Sequence, residues 1–395
     1  MARLNPRAAL QGGFLAAFCL LLIAPLTVHL FRAEAEPNLE NRARAEWPGT
    51  PPLPGQGLHA WPARMDAYLV DQFGLRGQLI GTINRQLHAQ LGRFASSRIV
   101  VGRRGRIYLG SHIPAEPYAL IHESCGWGIG PDHVAAAARD ITALLGRVEA
   151  SGRRGDIFVI PSSAALYPRD LPRWLARQCA ASIRPAVRVK AALPPAARRH
   201  FHDPFSAMAD PALPLPAIPP TNFHWSGVGP DVAEAWLAER RLGLPRLLDL
   251  PVRIEQLPSD ISSFFPDVEV TAQVAVPSAE GLESCAGWPC FPGIGTAGAK
   301  IIDMRRFRGP VPGGERLLLL TDSFGSFATI WFARHFSEVW QFSTNDLWQL
   351  TPEELAQLRR VMLEDYQPHR IVMLYHDGNI RPAWAGLMQR MFPTP

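Results

Sequence analysis

Ser323 is the residue of this sequence best placed for covalent chemistry. It follows the apolar run Arg316-Leu-Leu-Leu-Leu320 by way of Thr321 and Asp322, and a helical pattern runs from Ser326 to His335. A serine between strand and helix can project its hydroxyl from the turn. Its backbone N–H, at the head of the helix, can stabilise an oxyanion. The same position suits a helix cap, so the pattern alone leaves both readings open. A serine nucleophile needs a base, and the best-placed of the 12 histidines is His224, in Thr221-Asn222-Phe223-His224-Trp225 just ahead of a helix. A surface histidine packed beside Trp225 is the competing reading. Asp322 reads as a turn or cap residue rather than an acid catalyst. His376 and Asp377, after the apolar run Ile371 to Tyr375, offer a second polar dyad, although neighbours on an extended chain face opposite ways. No Cys-x-x-Cys pair or Cys/His cluster has zinc-ligand spacing, and neither a metal nor a cofactor is expected.

Helices alternating with wholly apolar strands must position these groups. Asp156 to Ile160, Arg316 to Leu320 and Ile371 to Tyr375 read as strands buried on both faces, which predicts an α/β sheet with helices on either side. Reactive groups in such sheets gather at the carboxyl ends of the strands. The spacing predicts helices over Pro62 to Arg93, Pro131 to Ala150 and Pro352 to Asp365, and another from Trp225 onward. Arg98 to Gly110 reads as two short strands joined at Arg103-Arg104-Gly105. Residues 185–221 are loop-rich, and 250–310 mix short strands with a Cys285–Cys290 segment.

The 395 residues carry 40 Lys+Arg against 35 Asp+Glu, a formal charge of +5, and are 47% hydrophobic, which excludes bulk disorder. No dense basic block occurs, so no nucleic-acid partner is expected. Arg3 and Arg7 precede an apolar run from Phe14 to Phe31, long enough to span a bilayer with its start in the cytoplasm. A cleaved signal peptide, ending near Ala33-Glu34-Ala35, is the rival. The expected organisation is a membrane anchor over 1–36, a proline-rich stalk over 37–60 and one exported domain over 61–395. Outside the apolar run lie Cys125, Cys179, Cys285 and Cys290, for which three pairings are open. Cys285 and Cys290 flank a loop short enough to close on itself, which would leave Cys125 with Cys179; four free thiols are the alternative.

Four segments together resemble the alginate O-acetyltransferase family (AlgJ/AlgX-like). Glu40-Asn41-Arg42 with Pro48 and Asp71-Gln-Phe-Gly-Leu-Arg76 resemble its opening motif, and Val101 to Leu109 its "V-G-K-x-G-W-L-F" hairpin. Tyr167-Pro-Arg-Asp-Leu-Pro172 is similar to its "Y-P-x-x-L-P". Asn222-Phe-His-Trp225 and Thr321-Asp-Ser-Phe324 match "D-T-H-W" and "G-D-S-F". The resemblance implies an SGNH-hydrolase-like α/β fold, a three-layer parallel sheet with permuted motif order. It also implies Ser323 as nucleophile, His224 as general base and Asn222 where the family has the triad aspartate. Asp231, Glu234 or Asp377 would be the carboxylates able to stand in for it. Ser162 and Ser163 replace a family lysine, Thr321 a glycine, and Tyr375-His376-Asp377-Gly378 an "E-R" pair. The implied function is acyl transfer to a sugar hydroxyl of an exopolysaccharide, alginate- or cellulose-like, at the periplasmic face of the inner membrane. A membrane-bound O-acyltransferase would supply the acyl group. The alternatives are a catalytically weakened scaffold or polysaccharide-binding subunit, and a simple esterase.

Overall fold

Consecutive leucines make a strand that needs apolar cover on both faces. The structure, a computed structural model, supplies it. It describes residues 6–31, 45–51, 60–111, 115–265, 267–309, 313–380 and 388–392. The chain divides into two compact units, Met1–Ala95 with Asp260–Val270, and Ser96–Ser259 with Thr271–Pro395.

The second unit is built on a mixed sheet of seven strands. In chain order the strands of this unit are β1 (Ile99–Val101), β2 (Ile107–Leu109), β3 (Arg154–Ile160), β4 (Phe201–His202), β5 (Val252–Pro258), β6 (Thr271–Pro277), β7 (Glu283–Ala286), β8 (Met304–Arg308), β9 (Arg316–Thr321), β10 (Glu338–Ser343) and β11 (Arg370–His376). The large sheet has the order β4-β3-β11-β9-β10-β8-β7. Its first five strands are parallel, whereas β8 and β7 run antiparallel at the edge. The expectation of a parallel sheet is corrected at that edge. There β8 reads Met-Arg-Arg-Phe-Arg, a half-exposed pattern that suits an antiparallel partner better than a helical crossover.

Alternate residues of the central strands feed two cores. Ile157, Val159, Leu318, Leu320, Ile371 and Met373 face one, with Ile141 and Leu144 of helix Pro131–Ala150 and Leu355 and Leu358 of helix Pro352–Arg360. Phe158, Leu317, Leu319, Val372 and Leu374 face the other, with Ala233 of helix Val228–Ala235 and Ala328 and Phe332 of helix Gly325–Phe332. Two disulfides, Cys125–Cys179 and Cys285–Cys290, have Cα separations of 5.2 and 5.8 Å. Strands β1 and β2 form the hairpin read from the sequence, with Arg104 at its tip in the left-handed region at φ 59°.

In the first unit, the single helix expected over Pro62 to Arg93 is two, Trp61–Asp71 and Arg76–Leu91. Gly74 lies in the break, where its conformational freedom makes helix the poorer choice. Arg85 pairs with Asp267 at 3.1 Å. The N-terminal run forms a helix over Pro6–Phe31. Among the described residues no helix is long and apolar enough to cross a membrane. Glu40-Asn41-Arg42, the signal-peptide site and most of the expected stalk lie outside the described residues.

Candidate active site

Strand β9 ends at Thr321, and the chain turns through Asp322 and Ser323 into helix Gly325–Phe332. The turn is tight. A Cβ on Gly325 would stand 2.0 Å from Thr321 Oγ1, so only glycine fits there. Thr321 itself is fully buried and accepts a hydrogen bond from Gln341 at 3.0 Å, which fastens the turn to β10.

Ser323 Oγ lies 2.8 Å from His224 Nε2, although 99 residues separate them in sequence. Two features hold this approach. The residues that follow each are tied together, with the Trp225 indole N–H donating to the Phe324 carbonyl at 2.8 Å. The His224 ring also stacks on Phe327, with 5.3 Å between centroids, meets Phe324 edge-on at 5.1 Å and lies tilted against Phe223 at 4.5 Å. An imidazole caged by three phenyl rings keeps one orientation, which general-base work at a hydroxyl requires.

The other residues singled out from the sequence divide. Asn222 is buried, and its amide oxygen has no hydrogen-bond partner, so it does not receive a proton-bearing nitrogen of His224. Asp231 and Glu234 are taken by Arg334, each at 2.6 Å, which corrects the expectation that either would serve His224. Asp377 accepts from the Ser162 backbone N–H at 3.1 Å and lies 3.8 Å from Arg184. His376 ends β11 and Asp377 opens the turn after it, and the two side chains take different partners rather than forming a dyad.

His376 instead pairs with Asp322. The Asp322 carboxylate accepts from His376 Nδ1 at 2.7 Å, His376 N at 2.9 Å, Asn379 Nδ2 at 2.9 Å and Phe324 N at 3.0 Å. Burial works against both charges. The opposite charge and the bonds between the pair outweigh it, holding Asp322 below the usual carboxylate range and His376 above the usual imidazole range. Asp322 thus anchors the Ser323 turn to the end of β11, a larger part than the cap assigned to it from sequence. The ring of His376 stacks on Phe324 at 5.1 Å, so one phenyl ring separates the two imidazoles.

A cavity of about 320 Å³ opens on Ser323 and His224. Tyr108, Leu120 and Phe223 give it apolar walls, and Asn345, Asn379, Ser162 and Ser163 line it with polar ones. The hydroxyls of Ser162 and Ser163 are buried without a hydrogen-bond partner, leaving two groups ready to bond a polar ligand. Sequence reading missed Tyr108, Asn345 and Asn379. Tyr108 comes from the hairpin, and the two asparagines from loops after β10 and β11, where no periodicity marks them. Among the described residues, no group of three or more His, Cys, Asp and Glu side chains could hold a metal ion.

No family model and no curated protein matches the chain. Solved structures do. The chain is similar to a DHHW family protein from Eubacterium siraeum, with 13% identity, a TM-score of 0.43, and 66% of this chain and 90% of that one covered. It is similar to the O-acetyltransferase domain of Pseudomonas putida AlgJ, with 16% identity, a TM-score of 0.42, and 74% and 98% covered. Pseudomonas aeruginosa AlgX is similar with 12% identity, a TM-score of 0.42, and 74% and 66% covered.

Proposed function

We propose that the protein is an O-acyltransferase that carries an acyl group on Ser323 and passes it to a sugar hydroxyl of an exopolysaccharide. The 2.8 Å approach of His224 Nε2 to Ser323 Oγ carries this reading, because a hydroxyl becomes a nucleophile only with a base in hydrogen-bond reach. His224 takes the Ser323 proton as Oγ attacks the acyl carbonyl and returns it to the leaving group. The sugar hydroxyl then attacks acyl-Ser323, losing its proton to His224 and restoring the free serine. The Ser323 backbone N–H, just ahead of helix Gly325–Phe332, is the donor this reading assigns to the charge that develops on the carbonyl oxygen. The order and identity of the sequence motifs support a sugar acceptor and an acyl donor passed on by a membrane-bound O-acyltransferase. The arginine-flanked apolar run at Phe14 to Phe31 supports anchoring in the inner membrane with the catalytic unit in the periplasm.

Asn222 favours a second reading, a weakened catalyst kept as a polysaccharide-binding scaffold, since it brings His224 no carboxylate. In serine proteases the loss of that carboxylate costs about 10⁴ in rate. A fluorophosphonate probe decides between them. Labelling at Ser323 that disappears in His224→Ala and in Ser323→Ala, together with loss of acetyl transfer to a polysaccharide, is the expected result. An unlabelled wild-type serine would leave the scaffold.

A further inference from the structure

The cavity at Ser323 has an inner end that the acyl-transfer steps do not use. Ser323 and His224 are half-buried where it opens, whereas Ser124, Ser163 and His376 are buried in its lining. Helix Ala119–Cys125, which bears Ser124, packs against both helix Ser163–Leu166 and the turn Asp377–Asn379. The Cys125–Cys179 disulfide pins that helix beside Ser124. A Cβ on Gly378 would stand 3.1 Å from His376 Nε2 and 3.1 Å from Ser124 Oγ, so glycine keeps clear a gap that both polar atoms border. Among the described residues neither atom has a hydrogen-bond partner, and the buried Ser163 hydroxyl has none either.

Donors without acceptors specify what belongs there. Asp322 accepts from His376 Nδ1, which leaves Nε2 as the free ring nitrogen, a donor when the ring is protonated. Burial disfavours the charged ring, but Asp322 above all, with Asp377 and Glu123, outweighs it and keeps the proton on. The Asp322 carboxylate already serves four donors, and Asp377 accepts from the Ser162 N–H. A charged N–H and two hydroxyls lacking an acceptor match a carboxylate, whose two oxygens accept only. An acetyl group would present a methyl to this end and leave each of them unbonded, at a desolvation cost. The position selects an acyl tail over the acceptor. A polymer cannot thread into an end walled by buried residues, whereas the tail of a group bonded to Ser323 can reach inward.

We propose that this inner end seats the tail of the acyl group carried by Ser323, and that the tail is a carboxylate, as in a succinyl group. The covalent step rests on the acyl-transfer reading, while the carboxylate rests on the cavity alone. Ser323 Oγ bonds the acyl carbonyl carbon as that carbon's bond to the leaving group breaks. The serine proton passes through His224 to the leaving group, and the distal carboxylate keeps its charge throughout. The test uses the full chain in detergent micelles, with monomethyl succinate and dimethyl succinate titrated by ligand-observed NMR. The monoester is expected to bind at least about tenfold more tightly than the diester. Ser124→Ala is expected to lose about tenfold in affinity for the monoester, with thermal unfolding unchanged because that hydroxyl bonds nothing in the protein. The preference should also fall as the pH climbs past the raised His376 value, where the ring has lost the proton it donates. Equal binding of the two esters overturns the proposal, as does a preference that either Ser124→Ala or the rise in pH leaves unchanged. Fluorophosphonate labelling of Ser323, read on the same samples, should slow with bound monoester, and labelling at an unslowed rate overturns the proposal too. Selective binding with no labelling at all sinks the acyl-transfer reading and leaves the carboxylate site standing. Labelling without selective binding sinks the carboxylate tail alone.

Discussion

Asp322 sits beside Ser323 yet spends its carboxylate on His376, and the pair couples the candidate site to the stability of the sheet. The stabilisation from His376, whose folded value is raised, is complete below its ordinary value of 6.5 and is lost as the pH rises through the folded value. That from Asp322, whose folded value is lowered, is complete above 3.8 and is lost as the pH falls through the folded one. Between those limits both contributions are present together. Asp322→Asn strands a buried imidazolium there, at an expected cost of about 3 kcal/mol in urea unfolding at pH 6. The gap from wild type should narrow as the pH climbs past the raised His376 value. A variant as stable as wild type at pH 6 would show the pair to be idle. Both residues were conspicuous in the sequence, but their partnership was not. It depends on β9 and β11 lying side by side in parallel, with Leu374 opposite Thr321, a neighbour relation between segments more than fifty residues apart that local patterning does not encode.

At the scale of elements, the loop that bears His224 is held to the turn that bears Ser323 by the Trp225–Phe324 hydrogen bond and by fully buried packing of the indole. Trp225→Phe keeps most of the apolar volume and deletes the donor, leaving the Phe324 carbonyl unpaired at a cost of about 1–3 kcal/mol. The expected outcome is slower fluorophosphonate labelling of Ser323, by about tenfold or more, since small displacements of a base are amplified in rate. A folded variant with wild-type labelling kinetics would mean that the Trp225–Phe324 bond has no part in positioning His224. The elements themselves were largely legible where burial is complete. The helix over Pro131–Ala150 and the apolar strands announce themselves by periodicity and composition. Legibility failed where tertiary context overrides pattern. The helical spacing runs straight across Gly74, and the apolar residues Leu79, Ile83 and Leu91 that sustain it are exposed.

Across the whole second unit, the two ends of the sheet separate the candidate site from a purely structural cluster. The carboxyl ends of β9 and β11 carry Ser323 and His376, whereas the amino ends of β3 and β11 carry a buried ionic cluster. There Asp156 accepts from Arg370 at 2.7 Å, His202 at 2.9 Å and His200 at 3.1 Å. Such a cluster was invisible in the sequence, where Asp156 merely opens an apolar strand. Burial pushes the Asp156 carboxyl up, but His202, Arg370 and His200 outweigh it and hold the group down at about 2. Because the folded value lies below the ordinary 3.8, the stabilisation is complete above that pH and is lost as the pH falls toward about 2. The difference amounts to about 2 kcal/mol at neutral pH. Asp156→Asn should therefore lower unfolding stability by at least about that amount at pH 7 and flatten the acid limb of the stability profile between pH 4 and 2. Labelling of Ser323 in the folded fraction should stay at the wild-type rate, because among the described residues no bond of this cluster reaches the Ser323 turn. A variant that keeps its stability but labels slowly would reverse the assignment, making the amino end of the sheet part of the site's support rather than of the fold's.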